Sequence, residues 1–518
     1  MATPPPAFRE PAGADDPYSA RSQPLCTCRA CLEVTSQTGS QLLSAESLDG
    51  ASTVLSDLPV VVIGAGPVGL AAAVHLLHRG LEPLVLEAGP QVGNNIAQWR
   101  HVRLFSPWCL AMDPISVRLL DQAGWTGPDL EALPTGRDLL DTYLRPLAAL
   151  PDLSSRIRLN TRVVAIARRD LDKVRSPGRG QLPFLVRVRV EHGRLKDLHA
   201  RAVIDASGTW TQPNPLGASG LPALGEADAA GRIVYGLPDV AGRDRGRYAG
   251  GRTVVVGAGH SAATSLLALA ELQQHEPGTR VLWAVRSATP RPLVGKGSAV
   301  ADELPARGRL ATDLALLVEA GQIQLVSGFR IHTVERAGDG VRLVGDRLHD
   351  HGLADARTVH VEADQVIAAT GFRPDHSIAA ELRLALEPGL ESAAALGPLI
   401  DPNVHTCGTV PAHGMAELAH PEPGYVIVGM KSYGRAPTFL LATGYQQIHS
   451  VVATLAGDAV GAGHRDQGRP AAVLCAINRQ FMAAAHRRIL TAPVAEAQSR
   501  ARWVRGSTAT DWSSATCC

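Results

Sequence analysis

Short apolar runs alternate with helix-forming stretches along most of the chain. Residues 59–63 are apolar without interruption, which is typical of a parallel strand buried on both faces. Residues 70–77 have the composition of a helix, and Gly80 suits the left-handed position that follows a helix end. Residues 83–87 predict the next strand. Strand, helix and strand in this order form the opening of a βαβ unit.

A second βαβ unit is predicted from Thr253 onward, and residues 424–457 have the pattern of a strand, a glycine turn and a helix. Further short strands are predicted at residues 162–168, 184–191 and 201–208. The second βαβ unit continues with a strand at residues 281–286, and the segment VIAATGFRPD (366–375) follows it. No repeat of solenoid length is visible, so the two βαβ units are the internal similarity in the pattern. The predicted fold class is α/β with doubly wound parallel sheets.

The first glycine turn, IGAGPVGL at residues 63–70, has the spacing of a dinucleotide-binding turn. Gly64 permits the tight turn, Gly66 lets phosphates approach the backbone, and Gly69 lets the helix lie close to the strand. The helix N-terminus favours an anion such as a pyrophosphate. Glu87 ends the next strand, where a carboxylate can accept hydrogen bonds from ribose hydroxyls. A tight turn without a ligand explains fewer of these features.

The second glycine turn differs from the first at two positions that bear on its ligand. Gly257 and Gly259 are present, Ser261 follows them, and Ala262 replaces the third glycine. The next strand leads to Arg286 rather than to an acid, and a guanidinium can pair with a 2′-phosphate that a carboxylate would repel. A solvated surface arginine is the alternative. We interpret the two turns as sites for FAD and NADPH, which exchange a hydride.

Composition and charge narrow the class of protein. The chain has 518 residues, 45% of them hydrophobic, and a formal net charge of +1, which favours neither nucleic acid nor an anionic membrane as a partner. The first residues show no signal peptide, no apolar run is long enough to span a membrane, and eight cysteines are too few for a disulfide scaffold. These features predict a cytoplasmic protein, and the sequence gives no indication of its oligomeric state.

Residues 58–460 resemble the two-dinucleotide-binding flavoproteins that include flavin-containing monooxygenases. The segments DASGTWTQP (205–213) and AATGFRPD (368–375) are similar to the two crossovers through which that family's chain enters and leaves an inserted NADPH domain. The resemblance implies that Val163 contacts the adenine of FAD through its backbone, and that Thr370 and Gly371 contribute to cofactor binding.

The domain boundaries follow from the same resemblance. Residues 58–210 and 365–460 are predicted to form the FAD-binding domain, and residues 211–364 the inserted NADPH-binding domain. Residues 1–57, rich in Pro, Ser, Gly and Ala, are predicted to be a disordered tail. Residues 461–518 are assigned to a C-terminal extension.

A narrower resemblance concerns the flavoprotein monooxygenases encoded beside bacterial arsenic-resistance genes. It is carried by HVRLFSPW (101–108), LPTGRDLLDTYLRPLA (133–148) and GMKSYGRAPTFLLATGY (429–445). Flavin-containing monooxygenases also carry an aromatic-x-Gly-x-x-x-His fingerprint before the NADPH turn. Tyr235 and Gly236 are similar to its beginning, but no histidine lies between them and Val256. The oxygenating step therefore has less support in the sequence than the cofactors have.

Lys431, Tyr433 and Arg435 are the catalytic candidates, because they follow a strand predicted to abut the flavin, with a helix starting near Thr438. A basic side chain and a helix N-terminus there would stabilise a reduced, anionic flavin or a peroxide. The alternative is that this turn simply closes the FAD pocket through backbone contacts. The histidines show no metal-ligand spacing, so no metal site is predicted.

The resulting hypothesis is an NADPH-dependent flavoprotein monooxygenase that activates O2 as a flavin C4a-peroxide and oxidises a small soft nucleophile (S, N or As(III)). The alternatives are a flavin reductase acting on a thiol-bound metal(loid) or a protein partner, and a non-catalytic nucleotide-binding redox sensor. Cys109, Cys407 and Cys475 are predicted to stand alone, which argues against a thioredoxin-reductase role. Five terminal cysteines are candidates for capturing As(III): Cys26, Cys28, Cys31, Cys517 and Cys518.

Overall fold

The computed structural model describes residues 55–288, 305–347, 357–404, 410 and 413–458. The predicted N-terminal tail (apart from its last three residues), the C-terminal extension and all the cysteines except Cys109 lie outside these residues. The strands of the described residues are β1 Val60–Ile63, β2 Pro83–Leu86, β3 Ile157–Arg158, β4 Arg162–Arg168, β5 Phe184–Arg189, β6 Leu195–Ala200, β7 Ala202–Asp205, β8 Ile233–Tyr235, β9 Arg252–Val256, β10 Arg280–Ala284, β11 Ile323–Val326, β12 Phe329–Ala337, β13 Gly340–Arg347, β14 Arg357–Ala363, β15 Gln365–Ala368 and β16 Tyr425–Ile427.

Five parallel strands form the first sheet, in the order β16-β7-β1-β2-β3. β1 lies at its centre, with Val60 opposite Pro83 on one side and Ala202 on the other. Every residue of β1 is buried, because layers of the protein cover both faces of the sheet. The uninterrupted apolar run in the sequence is explained by this position.

The second parallel sheet has the order β11-β10-β9-β15-β8, so its strands β15-β9-β10-β11 repeat the arrangement β7-β1-β2-β3 of the first sheet. Gln365 pairs with Thr253 of β9, which places β15 in the second sheet. The prediction that the chain returns to the first domain at residue 365 is therefore wrong for this strand. The hydrophobic pattern does not reveal to which sheet β15 belongs, because a buried parallel strand is equally apolar in either sheet.

A three-stranded antiparallel sheet interrupts each half at the same point. The order β4-β5-β6 lies between β3 and β7 in the chain, and β12-β13-β14 lies between β11 and β15. In both sheets one face is buried and the other is more exposed, as the alternating burial along β5 shows. The two halves thus have the same sequence of elements, which is the α/β fold with two dinucleotide-binding-type domains that the sequence predicts.

The longer helices of the described residues are α1 Pro67–His78, α2 Pro114–Gln122, α3 His260–His275, α4 Pro305–Glu319 and α5 Leu441–Leu455. α1 follows β1 and ends before Gly80, whose φ of +71° is the left-handed conformation expected there. Short helical turns comprise Asn94–Gln98, Trp108–Ala111, Gly136–Asp138, Leu139–Leu144, Arg145–Ala148, Pro151–Ser154, Arg179–Gln181, Glu191–Gly193, Ala230–Arg232, Arg245–Tyr248, Ser377–Ala379, Gly397–Ile400, Met415–Leu418 and Gly429–Tyr433. Among the described residues, no helix combines the length and apolar character needed to cross a membrane.

The two predicted crossovers lie side by side and join the halves. Pro213 and Phe372 form an antiparallel bridge, and Asn214 N donates to Gly371 O at 2.9 Å. Trp210 of the first crossover stacks on Phe372 of the second, with ring centroids 4.7 Å apart. The chain therefore enters and leaves the second half through one hydrogen-bonded ribbon.

A buried ion cluster ties the first antiparallel sheet to β16. Glu422 accepts hydrogen bonds from Arg168 Nε at 2.7 Å and from Arg179 Nε at 2.9 Å, and all three side chains are at most 4% exposed. The Arg168 guanidinium also lies over the ring of Phe184, 3.7 Å from its centroid. The cluster joins Arg168 and Arg179, which are close in sequence, to Glu422, which lies 254 and 243 residues further along the chain.

Candidate functional site

The first glycine turn has the geometry that a pyrophosphate requires. Gly64 has a φ of +97°, and a Cβ there would lie 2.8 Å from Ala206 O, so only glycine fits the turn. A Cβ on Gly69 would lie 2.0 Å from Gly64 O, because α1 packs directly on the turn. A Cβ on Gly66 meets nothing within 4 Å, and no side chain of the described residues caps α1. The open space and the uncapped N-terminus fit a phosphate group.

Glu87, just after β2, holds this turn in place. Its two carboxylate oxygens accept hydrogen bonds from Ala65 N and Gly89 N, each at 2.8 Å. A carboxylate has lone pairs for further donors, so Glu87 can still accept from a ribose. Thr161 N donates to Glu87 O at 2.8 Å, which places the start of β4, and with it Val163, beside Glu87. The structure therefore brings together the residues predicted to hold the adenosine part of FAD.

The second glycine turn repeats this geometry. Gly257 has a φ of +133°, and a Cβ there would lie 2.2 Å from Ala369 O, whereas a Cβ on Gly259 meets nothing within 4 Å. Ala262 lies in the first turn of α3 and is fully buried, so a methyl group fits where the first glycine turn needs glycine. Ser261 lies in the first turn of α3. The residues present fit a second dinucleotide.

Arg286 lies two residues beyond β10 with an exposed side chain, and its Nη1 donates to Ala218 O at 3.1 Å.

Thr370 and Gly371 lie in the second crossover. Thr370 Oγ1 donates to Asn214 O in the first crossover, and Asn214 Nδ2 donates to Thr370 O. Their contact with a cofactor stays a prediction.

Loops of the first half contact the start of α3 and the first crossover. The ring of Phe105, from the first half, lies 5.1 Å from the ring of His260, which begins α3 at the second turn. Trp210 Nε1 donates to Gln98 Oε1 at 2.9 Å, which fixes the first crossover against the helical turn after Gly93. Sequence reasoning did not identify these contacts, because Phe105 and His260 lie far apart in the chain. They place loops of the first half against the N-terminus of α3 and against the first crossover.

Lys431 has a different environment from the one predicted. Its side chain is 2% exposed, and its Nζ lies 2.6 Å from Asp205 Oδ2 and 3.2 Å from Ser207 Oγ. Tyr425 donates to the same Asp205 oxygen at 3.0 Å. Burial alone would raise the pKa of Asp205, but the Lys431 ammonium and the hydrogen bonds outweigh it and lower that pKa below its usual value. Asp205 is therefore ionised and balances the charge of Lys431.

The other two catalytic candidates do not lie with Lys431 in one cluster. Tyr433 is fully buried, and its ring lies 5.5 Å from that of His413 and 5.3 Å from that of Phe439. Arg435 is exposed and donates to Glu391 Oε1 at 2.7 Å. The catalytic roles of all three stay predictions.

A buried hydrogen-bond network supports the turn that carries Lys431. Gly429 N donates to Gln447 Oε1 at 2.7 Å, and Gln447 Nε2 lies 2.9 Å from both Ser432 Oγ and His413 Nε2. Gln447 belongs to α5, which begins at Leu441 rather than near Thr438 as predicted. This network fixes the main chain of the turn, as the alternative interpretation of the segment expects.

Two chemical features of the described residues bear on the reaction. Cys109 is disulfide-bonded, so the prediction that it stands alone is wrong. Its partner lies outside the described residues, and no local spacing marks such a pair. Within the described ranges, no group of three or more His, Cys, Asp or Glu side chains is arranged to hold a metal ion.

Comparison with known proteins decides the family. Residues 61–390 match the pyridine nucleotide-disulphide oxidoreductase family. The chain belongs to this family. It is therefore an oxidoreductase with FAD and NADPH as its cofactors, and the assignment of one cofactor to each turn stays a prediction.

One curated relative of this oxidoreductase is a ferredoxin–NADP reductase from Saccharopolyspora erythraea, 28% identical over 215 residues, which are 41% of this chain and 50% of that protein. The chain spans about half the length of the curated relatives it matches. Two solved structures are similar, each over 77% of the chain. The bacillithiol disulfide reductase from Bacillus cereus matches over 99% of its own length with a TM-score of 0.54 and 20% identity. The FAD-bound cadaverine monooxygenase from Erwinia amylovora matches over 94%, also with a TM-score of 0.54, and 16% identity. These identities show the fold alone.

Proposed function

We propose that this oxidoreductase is an NADPH-dependent flavoprotein monooxygenase that oxidises a small soft nucleophile with O2. The contact between Phe105 and His260 carries the proposal, because it brings a loop of the first half to the second nucleotide turn, at a junction that the two halves share. Hydride transfer requires the nicotinamide to reach the flavin, and a shared junction allows it. Monooxygenases are among the proteins that share the fold.

The protein's part in this reaction is to bind, orient and exclude water. When bound, FAD supplies the acceptance of a hydride and the reactivity towards O2. The first turn and Glu87 would hold its pyrophosphate and ribose, with Val163 at the adenine. The second turn and Arg286 would hold NADPH.

Lys431 is proposed to form a fixed ion pair with Asp205 at the carboxyl ends of β7 and β16. Because Asp205 neutralises it, the ion pair presents a dipole rather than a net positive charge to that edge of the sheet. Tyr433 and Arg435 are proposed to shape the turn rather than to contact a substrate, since one is packed between rings and the other pairs with Glu391.

As(III) is the specific nucleophile proposed, on the resemblance of three segments to arsenic-operon monooxygenases. The thiolates proposed to capture it, in residues 26–31 and 517–518, lie outside the described residues. Soft sulfur ligands suit As(III). The predicted cytoplasmic location also stays a proposal.

A flavin reductase is the second candidate, favoured by the match to ferredoxin–NADP reductases. Such an enzyme would pass electrons from NADPH to a protein or to a thiol-bound metal(loid). The second candidate needs no O2.

Oxygen dependence separates the two candidates. We expect the FAD-loaded enzyme to oxidise NADPH faster when arsenite or a small thioether is added in air, with one oxygen atom from ¹⁸O2 found in the product by mass spectrometry. The same rate under argon with a ferredoxin or a disulfide as acceptor, and no labelled product in air, would establish the reductase instead.

Arg286→Ala should weaken binding of NADPH and leave binding of NADH nearly unchanged. The loss of one charge-assisted contact to the 2′-phosphate costs about 1.5–3 kcal/mol, or roughly ten- to a hundredfold in affinity. Isothermal titration with NADP⁺ and NAD⁺ measures both constants. Arg280→Ala is the control, because Arg280 begins β10 at its other end, where its guanidinium donates to the main-chain oxygens of Pro277 and Thr279. An equal loss for both nucleotides would contradict a role in phosphate recognition.

A further inference from the structure

The loop that holds Arg286 belongs to neither nucleotide-binding motif. Residues 216–226, here the Glu226 loop, run between the first crossover and β8, and the Ala218 carbonyl accepts the bond from Arg286 Nη1. A guanidinium has five N–H donors in a fixed plane, so one bond to a carbonyl orients it and leaves most donors for a ligand. The loop therefore sets the direction in which Arg286 points.

One buried carboxylate closes the loop. Glu226 is 5% exposed and accepts hydrogen bonds from Leu216 N at 3.0 Å, from Ala223 N at 2.7 Å and from the Tyr235 hydroxyl. Burial and the bond to Glu226 raise the pKa of Tyr235, so its hydroxyl remains a donor. Tyr235 ends β8, and the carboxylate therefore fastens both ends of the loop to the second sheet.

Close packing leaves the loop little freedom. A Cβ on Gly217 would lie 2.1 Å from Leu221 O, and a Cβ on Gly225 would lie 2.3 Å from Val334 O. Ala218 N donates to the carbonyl of Ile331 in β12 at 2.9 Å. The Ala218 carbonyl is thus fixed from within the loop and from the adjacent sheet.

We propose that the bond between Glu226 and Tyr235 sets the preference of the second site for NADPH over NADH. It does so by fixing the Glu226 loop, whose Ala218 carbonyl orients Arg286 towards the 2′-phosphate. An exposed arginine without this support would lose more rotamer entropy on binding the phosphate. Glu226 and Tyr235 are positioning residues, and the inference rests on the proposed role of Arg286.

A double-mutant cycle on the FAD-loaded full chain tests the proposal. Tyr235→Phe removes one bond to Glu226 and keeps the ring, and Glu226→Gln keeps the side-chain shape. We expect each to raise the Kd for NADP⁺, measured by isothermal titration, by roughly two- to tenfold, the range for one hydrogen bond. The Kd for NAD⁺ should not change. In an Arg286→Ala background neither substitution should have a further effect, because the loop acts through that side chain.

Control variants distinguish a failure of the positioning role of Glu226 and Tyr235 from a failure of the proposed role of Arg286. Leu221→Ala, at a 70% exposed position of the same loop, should bind both nucleotides like the wild type. Equal losses for NADP⁺ and NAD⁺, or additive effects in the double variants, would overturn the positioning role. If Arg286→Ala changes the preference but Tyr235→Phe and Glu226→Gln do not, the positioning role alone fails. If Arg286→Ala leaves the preference intact, both fail.

Discussion

Gly66→Val should yield a folded protein that carries no FAD. The space around Gly66 is open, with nothing of the described protein within 4 Å of an added Cβ, so the polypeptide itself tolerates a side chain there. The pyrophosphate needs that same space, and a branched side chain would fill it. We expect near-complete loss of flavin absorbance per chain, and with it loss of NADPH oxidation.

Two further substitutions show what Gly66→Val tests. Gly246→Val makes the same change at an exposed glycine that also has open space around its Cβ position but no predicted ligand, and it should retain FAD. Gly69→Ala should instead destabilise the protein, because its Cβ would lie 2.0 Å from Gly64 O. Full flavin content in Gly66→Val would mean that the pyrophosphate does not lie at this turn.

Glu422→Gln should lower the free energy of unfolding by about 3–5 kcal/mol, the range found when one partner of a buried ion pair is removed. The substitution keeps the shape of the side chain, but leaves the guanidinium groups of Arg168 and Arg179 without a buried counter-charge. Thermal and urea denaturation followed by tryptophan fluorescence measure the change. A variant as stable as the wild type would show that the two arginines are satisfied by main-chain carbonyls alone.

A surface ion pair gives the matched control, and pH gives a second test. Glu82→Gln removes a carboxylate from Arg156 at a position where the Glu82 side chain is 56% exposed, and should cost about 0–1 kcal/mol. Burial alone would raise the pKa of Glu422, but its arginine partners lower it below the usual 4.5. This group therefore stabilises the fold fully above pH 4.5 and loses that contribution as pH falls through its lowered pKa. The difference in free energy of unfolding between the wild type and Glu422→Gln should therefore shrink as the pH falls.

Elements with a local signal were predictable from the sequence. The bounds of β4 were predicted residue for residue. The position of β1 and the left-handed conformation of Gly80 were also predicted correctly, because an apolar run and a helix end are both marked by residues close in sequence. The hairpin of β12 and β13 was missed although its signal is local too. Alternating apolar residues flank Gly338 and Asp339 there, which is a two-residue turn pattern.

The parts of the site that sequence reasoning missed depend on contacts between distant residues. Asp205 and Lys431 are 226 residues apart, so nothing near Lys431 in the sequence shows that its charge is neutralised. The disulfide of Cys109 and the contact of Phe105 with His260 are hidden for the same reason. The glycine turns were found because all their parts lie within one βαβ unit.

The insertion of one half into the other has a consequence for the order of assembly during synthesis. β15, the last strand of the second sheet, leaves the ribosome before β16, which completes the first sheet, and before α5. Domains tend to fold as units while the chain emerges. The second half, which starts later in the chain, can therefore complete its sheet before the first half does. A chain that stops after residue 373 would carry a complete second sheet, whereas its first sheet would lack β16 and have an unpaired edge at β7.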